Sequence, residues 1–343
     1  MEKIMIPPLD SNAAEVIKNN WAKMDKPLHS LGKLEEMVEK YAAMTGTALP
    51  DKIKSAMLLM CGDHGIAKYG VSAYPQEVTM QMINGYMRET AGANVMARHA
   101  GADVFVIDAG TAFDLSAMPK VHQEKVAWGT EDFTQGPAMT VEQAEKALKV
   151  GMKVADECID KGYNLLVTAE MGIGNTTSTA AIVSAFLGLP PELTVGRGTG
   201  INDERMAIKR KVVADGLAKN QPRLGDAMDI LCKVGGYDHA GLAGMILAGA
   251  RRRIPTMVDG VNATAAALLA YGLEPACADY MLCSHLSAEI SHAKMLEVLR
   301  LTPIVDAGMR LGEGTGASLA IVILQMAINT CLLYTSPSPR DRT

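Results

Sequence analysis

Short apolar runs, bounded by glycines or acids and alternating with segments of helical period, constrain this chain more than any other feature. They are Ser55–Cys61 (SAMLLMC), Asp103–Asp108 (DVFVID), Asn164–Thr168 (NLLVT), Pro255–Asp259 (PTMVD) and Asp279–Cys283 (DYMLC), with Thr302–Asp306 as a sixth. Such alternation is the pattern of βαβ units, so the expected class is α/β: a parallel sheet of five or six strands flanked by helices. Ser11 to Met24 and Gly32 to Met44 read as two amphipathic helices joined at Asp25-Lys26-Pro27, with a start signal at Ser11. Thr140 with Gln143 makes a capping box before a long helix. Asn175-Thr176-Thr177 reads as the cap of another helix and Asn262 as the start of an alanine-rich one, and caps also account for the two sequons there.

Composition narrows the function. Of 343 residues 48% are hydrophobic and 21% charged, which excludes disorder as the main theme. Only 4% are aromatic, so aliphatic side chains and 23 methionines must fill the core. A net charge of −5 with no basic tail argues against a nucleic-acid partner. The six cysteines, at 61, 158, 232, 277, 283 and 331, form no C-x-x-C pair, which fits reduced thiols in a cytoplasmic protein. The opening MEKIMIPPLDSNAAE lacks the apolar run of an export signal. Ala317 to Leu333 is weakly polar but holds Gln325 and Asn329, and reads as a buried terminal helix rather than a membrane span. The closing Ser-Pro-Ser-Pro-Arg-Asp stretch breaks with the pattern upstream, and no function is hung on it.

In an open parallel sheet, ligands bind beyond the carboxyl ends of the strands. Here those ends lead into Gly62-Asp63-His64-Gly65, Asp108-Ala109-Gly110, Glu170-Met171-Gly172-Ile173-Gly174-Asn175, Asp259-Gly260, Ser284-His285 with Ser287, and Gly312-Glu313-Gly314-Thr315-Gly316. Glycines on both sides of Glu313 let a ligand approach the backbone while the carboxylate acts as a general base; a helix-capping turn is the other reading of the same spacing. The turn from Glu170 to Thr177 suits an anion held by backbone N–H groups, although it is neither a Walker motif nor Gly-x-Gly-x-x-Gly. A second glycine-rich loop, Gly196–Gly200, precedes a helical run carrying Lys209, either a phosphate-binding cation or a solvated lysine. Asp63-His64 reads as a structural pair, since neighbours on an extended chain point apart and spacing offers no third metal ligand. His239 and His285 are packed or substrate-positioning, and Gly249–Arg253 (GARRR) is a solvated helix end.

Together these segments resemble the nicotinate-nucleotide:dimethylbenzimidazole phosphoribosyltransferase family of cobamide biosynthesis. The resemblance runs from Lys26-Pro-Leu-His-Ser-Leu-Gly-Lys-Leu-Glu35 through Cys61–Gly65, Glu170–Thr177, Asn220-Gln-Pro222 and Lys233-Val-Gly-Gly-Tyr-Asp238 to Met309-Arg-Leu-Gly-Glu-Gly-Thr-Gly-Ala317. It implies a Rossmann-like large domain, 51–310, and a small helical domain drawn from 1–50 and from the loop and terminal helix at 311–331, leaving 332–343 as a tail whose native origin is in question. It implies transfer of 5-phosphoribose from nicotinate mononucleotide to a lower-ligand base, with inversion and without a metal or cofactor. By the same resemblance Glu313 is the base, Glu170 and Lys209 line the site, Gly172, Gly198 and Thr199 hold the phosphate, and Ser287 lies near nicotinate or ribose. A homodimer, or a heterodimer with a related subunit, is expected.

Three positions depart from the benzimidazole-using members: Tyr74 stands where they have serine, Met82 where they have glutamine, and Met171 where leucine is common. A phenol ring and a thioether suit an acceptor ring with one polar atom better than a benzimidazole edge. The combination resembles the phenol/p-cresol-activating branch, so the expected acceptor is dimethylbenzimidazole or, from these residues, phenol or p-cresol. Two other classes compete: a dinucleotide-dependent oxidoreductase, which lacks its fingerprint here, and an inactive regulatory homologue, which should have lost Glu313.

Overall fold

A computed structural model describes residues 4–333 except 48 and 51; the closing Ser-Pro-Ser-Pro stretch lies outside the described residues. Its strands are β1 (Ser55–Gly62), β2 (Ala102–Gly110), β3 (His122–Gln123), β4 (Leu165–Met171), β5 (Thr256–Val258) and β6 (Met281–Cys283). The helices are α1 (Ser11–Ala22), α2 (Lys33–Thr45), α3 (Val78–Met87), α4 (Gly92–Ala100), α5 (Val141–Asp160), α6 (Asn175–Leu187), α7 (Asp203–Asn220), α8 (Ala227–Val234), α9 (Tyr237–Arg251), α10 (Val261–Leu273), α11 (His292–Leu299) and α12 (Thr315–Leu333).

All the strands run parallel in the order β3-β2-β1-β4-β5-β6. The chain reverses its direction of travel across the sheet between β1 and β4, and that switch opens a crevice beyond their carboxyl ends. Every residue of β1 is buried, as helices on both faces of a parallel sheet require. Five of the expected runs became β1, β2, β4, β5 and β6. The sixth did not: Thr302–Asp306 contributes only an isolated bridge, Val305 to His285, because Pro303 has no N–H to give a ladder. The additional strand is instead β3, which pairs His122 and Gln123 with Ile107 and Asp108.

The α1–α2 connection is fastened by buried Glu35, which accepts from Lys26 Nζ at 2.7 Å and from the Leu31 N–H at 3.0 Å. The α1 cap is Asp10 rather than the expected Ser11; its carboxylate accepts the Ala13 N–H. The capping box of α5 forms as expected from Thr140 and Gln143. Helix α12 packs against α2 and α4, so chain from both ends meets on one side of the sheet. It is long and apolar enough to cross a membrane by length and composition, yet half of its apolar window is buried against the rest of the chain. The first turn is buried all round; beyond it burial follows one face, and Leu319, Val322 and Met326 point outward. All six cysteines are free and buried.

Candidate active site

Beyond the carboxyl ends of β4, β5 and β6 lies a cavity of about 790 Å³. Of the residues singled out from sequence, Tyr74, Met82, Glu170, Met171, Gly172, Gly198, Thr199, Ser287 and Glu313 all line it. Lys209 does not. Its chain is buried behind the Gly196–Gly200 loop, with Nζ donating to Thr176 Oγ1 at 2.8 Å and to the Gly196 carbonyl at 3.2 Å. The expectation that Lys209 lines the site is therefore corrected to one of support from behind, since a helix side chain this long reaches the loop only by running beneath it. Burial pulls the Lys209 ammonium down to about 8, and the charge of Glu289 acts the other way.

The loop carrying Glu313 is shaped by three successive left-handed residues: Gly312 (φ 82°), Glu313 (φ 59°) and Gly314 (φ 77°). Glycine takes that conformation freely, whereas a glutamate there costs on the order of 1–2 kcal/mol. What holds it is Asp259, at the end of β5. Its carboxylate accepts the N–H groups of Gly314 at 3.0 Å and of Ala317 at 2.9 Å, and so ties the first turn of α12 to the sheet. Glu313 is thus held buried at the cavity wall. Burial raises its pKa, the Tyr86 hydroxyl pulls it down, and the charge of Asp259 adds to the rise.

Glu170 occupies the penultimate position of β4, opposite Met60 of β1. Two amides share the cavity wall with its carboxylate: Asn175 Nδ2 donates to Oε2, and the Asn262 amide acts on it to lower its pKa. This overturns the reading of both asparagines as helix caps. The residue at the α6 cap is Gly174 and that at the α10 cap is Gly260, so Asn175 and Asn262 lie just inside their helices with side chains turned to the cavity. Burial raises the Glu170 pKa from its ordinary 4.5 to about 8, and the charges of Asp238, Glu313 and Asp259 push the same way. Near neutral pH the carboxyl is substantially protonated and can donate a hydrogen bond.

On the opposite wall, Thr199 Oγ1 accepts the Ala73 N–H at 2.8 Å and so joins the Gly196–Gly200 loop to the segment that presents Tyr74. The Gly198 N–H donates to Glu289, and its carbonyl accepts from Arg310. Gly172 has a packing reason as well: a Cβ there would fall 1.8 Å from the Gly62 carbonyl, so only glycine lets β4 leave the sheet beside β1. Ser287 is fixed by its backbone N–H, which donates to His292 Nδ1 at 2.9 Å. Burial, with the His285 charge, holds His292 down to about 3 and therefore neutral, leaving Nδ1 free to accept.

Tyr74 is 55% exposed at the cavity mouth, while Met82 of α3 and Met171 at the end of β4 are half-buried lining. Asp63 and His64 part ways as expected. Asp63 accepts from Thr79 Oγ1 and the Ala112 N–H, and His64 Nε2 faces Asp238. Sequence spacing missed what His64 meets: His64, Asp238 and His239 place nitrogen and oxygen atoms within 4.8 Å of one another. Of the two histidines left open, His285 packs beneath the start of α12, where a Cβ on Gly316 would strike its ring. Arg251 and Arg252, from the GARRR stretch, pair with Asp156 and Asp160 at the surface.

An open parallel sheet whose strand ends gather buried carboxylates and glycine-rich turns around one cavity defines a Rossmann-like protein with its ligand site at the strand ends. A family model described as phosphoribosyltransferase matches residues 6–334. The nicotinate-nucleotide–dimethylbenzimidazole phosphoribosyltransferase of Chloroflexus aggregans is 47% identical over 322 residues, covering 94% of this chain and 91% of that protein. The protein of the same name from Geobacter sulfurreducens is 46% identical over 318 residues, covering 92% of this chain and 90% of its own length. The crystal structure of CobT from Thermus thermophilus superposes with a TM-score of 0.89 at 40% identity, over 94% of this chain and 96% of that one. The chain belongs to the nicotinate-nucleotide–dimethylbenzimidazole phosphoribosyltransferase family and is an enzyme of the transferase class.

Proposed function

We propose that this enzyme moves 5-phosphoribose from nicotinate mononucleotide to an aromatic acceptor in cobalamin nucleotide-loop biosynthesis, and that the acceptor is phenol or p-cresol. The acceptor hydroxyl gives its proton to Glu313 as its oxygen bonds to the anomeric carbon. The glycosidic C–N bond breaks with its electron pair going to the pyridine nitrogen, so nicotinate leaves and an α-ribotide forms by inversion. Protonated Glu170 donates to the bound nucleotide, and Gly172, Gly198 and Thr199 hold the phosphate with Lys209 behind them. Ser287 stands beside nicotinate or ribose. The transfer calls on no metal or cofactor. The observation that carries the acceptor reading is that Tyr74, Met82 and Met171 share one cavity with Glu313 and offer it a phenol and two thioethers.

The packing of α1, α2 and α12 supports a small helical domain, from 1–50 and 311–331, beside a Rossmann-like domain at 51–310. A homodimer or a heterodimer with a related subunit, in the cytoplasm, completes the reading. The test is a competition: protein, nicotinate mononucleotide and equimolar dimethylbenzimidazole, adenine, phenol and p-cresol, with products resolved by mass. Phenolic ribotides should dominate. Benzimidazole ribotide alone would leave the transferase and discard the acceptor assignment.

A further inference from the structure

Behind Glu170 a file of buried side chains leads away from the cavity, and the hydrogen bonds along it have only one consistent direction. Thr179 Oγ1 donates to Asn262 Oδ1 at 2.8 Å. Its hydroxyl proton being spent, Thr179 can only accept from His239 Nε2, 2.8 Å away, so Nε2 carries a proton. Asp238 Oδ1 accepts the backbone N–H of His239 at 2.8 Å and lies 3.0 Å from its Nδ1, so the carboxylate sets where the ring sits at the start of α9. Asp238 is held far below the usual carboxylate range, against its own burial, by the charges of His239 and His64. Thr179, Asp238 and His239 are all buried, so water cannot substitute for any link.

We propose that Asp238, His239 and Thr179 are positioning residues that orient the Asn262 amide, holding its oxygen inward and its NH₂ toward Glu170. The structural logic is one of parity. Asp238 seats His239, the proton on Nε2 leaves Thr179 only its own proton to give, and that proton fixes the amide oxygen of Asn262; an amide released from Thr179 can turn its oxygen toward the carboxyl instead. This deepens the active-site reading and rests on Glu170 belonging to that site. The titratable groups facing Glu170 are Asp238 on α9, Glu313 before α12, Asp259 at the end of β5, Cys61 on β1 and Tyr86 on α3. Those facing Asp238 are His239 beside it, His64 and Asp63 after β1, Cys61 on β1 and Glu170 itself.

The test reads the proton on Glu170 directly. Infrared pH titration of the whole chain follows the protonated-carboxyl band, assigned by its loss in Glu170→Gln. Thr179→Val keeps size and shape but cannot relay, and the Glu170 midpoint should rise by about one pH unit as the amide donor is lost. Thr179→Ser should restore the wild-type midpoint. Asn262→Ala removes the terminal donor and should raise the midpoint similarly; it is also the variant to read if Thr179→Val does not fold. In the Asn262→Ala background, Thr179→Ser and Thr179→Val should give the same midpoint, because the relay acts only through that amide. An unmoved midpoint in Thr179→Val or Asn262→Ala, or a Thr179 effect that persists without Asn262, overturns the proposal. The readout needs no turnover, so a chain that failed to release nicotinate would count against the proposed function and leave this question decided on its own.

Discussion

At the residue scale Glu313 carries both the chemistry and the strain, and two substitutions separate them. Glu313→Gln should lower kcat by about 10²–10⁴-fold with little change in KM for nicotinate mononucleotide, because it removes only the proton acceptor. The wild-type rate should fall as pH drops through an acid limb lying above the ordinary carboxylate range, since burial favours the protonated, inactive form of the base. That limb should be missing from the residual rate of Glu313→Gln. Glu313→Gly should be equally inactive yet more stable by about 1 kcal/mol, because glycine relieves the left-handed backbone at φ 59°. Paired kcat and urea-midpoint measurements check both; a Glu313→Gly variant less stable than wild type would mean the strain is absent. Much of this was legible in sequence, because flanking glycines announce an unusual turn. What Asn175 and Asn262 do was not, since a cap and a cavity-facing amide use the same residue at the same end of a helix.

Among elements, legibility follows length and burial. The strands β1 and β4 show as long apolar runs because they are buried almost throughout, and β2 because its second half is. Two-residue β3 is too short to have a period, and the apolar Thr302–Asp306 looked like a strand while its proline kept it from being one. The consequential element contact, β5 to α12 through Asp259, was visible only as an acid at a strand end. Its partners are backbone N–H groups some 55 and 58 positions away, which no side-chain pattern records. Asp259→Asn keeps the shape but turns an NH₂ against one of those donors. It should cost about 1–3 kcal/mol of stability. By displacing the loop that carries Glu313 it should also lower kcat/KM by up to about 10²-fold. Unlike Glu313→Gln, it should keep the acid limb, because the base is still present; loss of that limb would show that Asp259 does more than hold the turn.

For the whole molecule, the cavity gathers acids where the fold is most buried, and folding must accommodate them as charges or as protonated groups. Glu170 is the extreme case, moved from 4.5 to about 8. Between those values the folded chain binds a proton that the unfolded chain has released, so this residue makes stability fall as pH rises, by at most about 1.4 kcal/mol per pH unit. Below the window both states are protonated and the effect vanishes; above it the penalty is constant. Glu170→Gln is neutral throughout and close in shape. The variant should therefore match wild type near pH 4, gain on it steadily from about pH 5 to 8, and hold a fixed advantage beyond. Glu313 and Lys209 are present in both proteins, so their contributions cancel to first order in the difference even though each titrates. Urea unfolding at intervals across that range measures it. A difference independent of pH would mean that Glu170 is an ordinary carboxylate in the folded chain, and that the two amides beside it outweigh its burial.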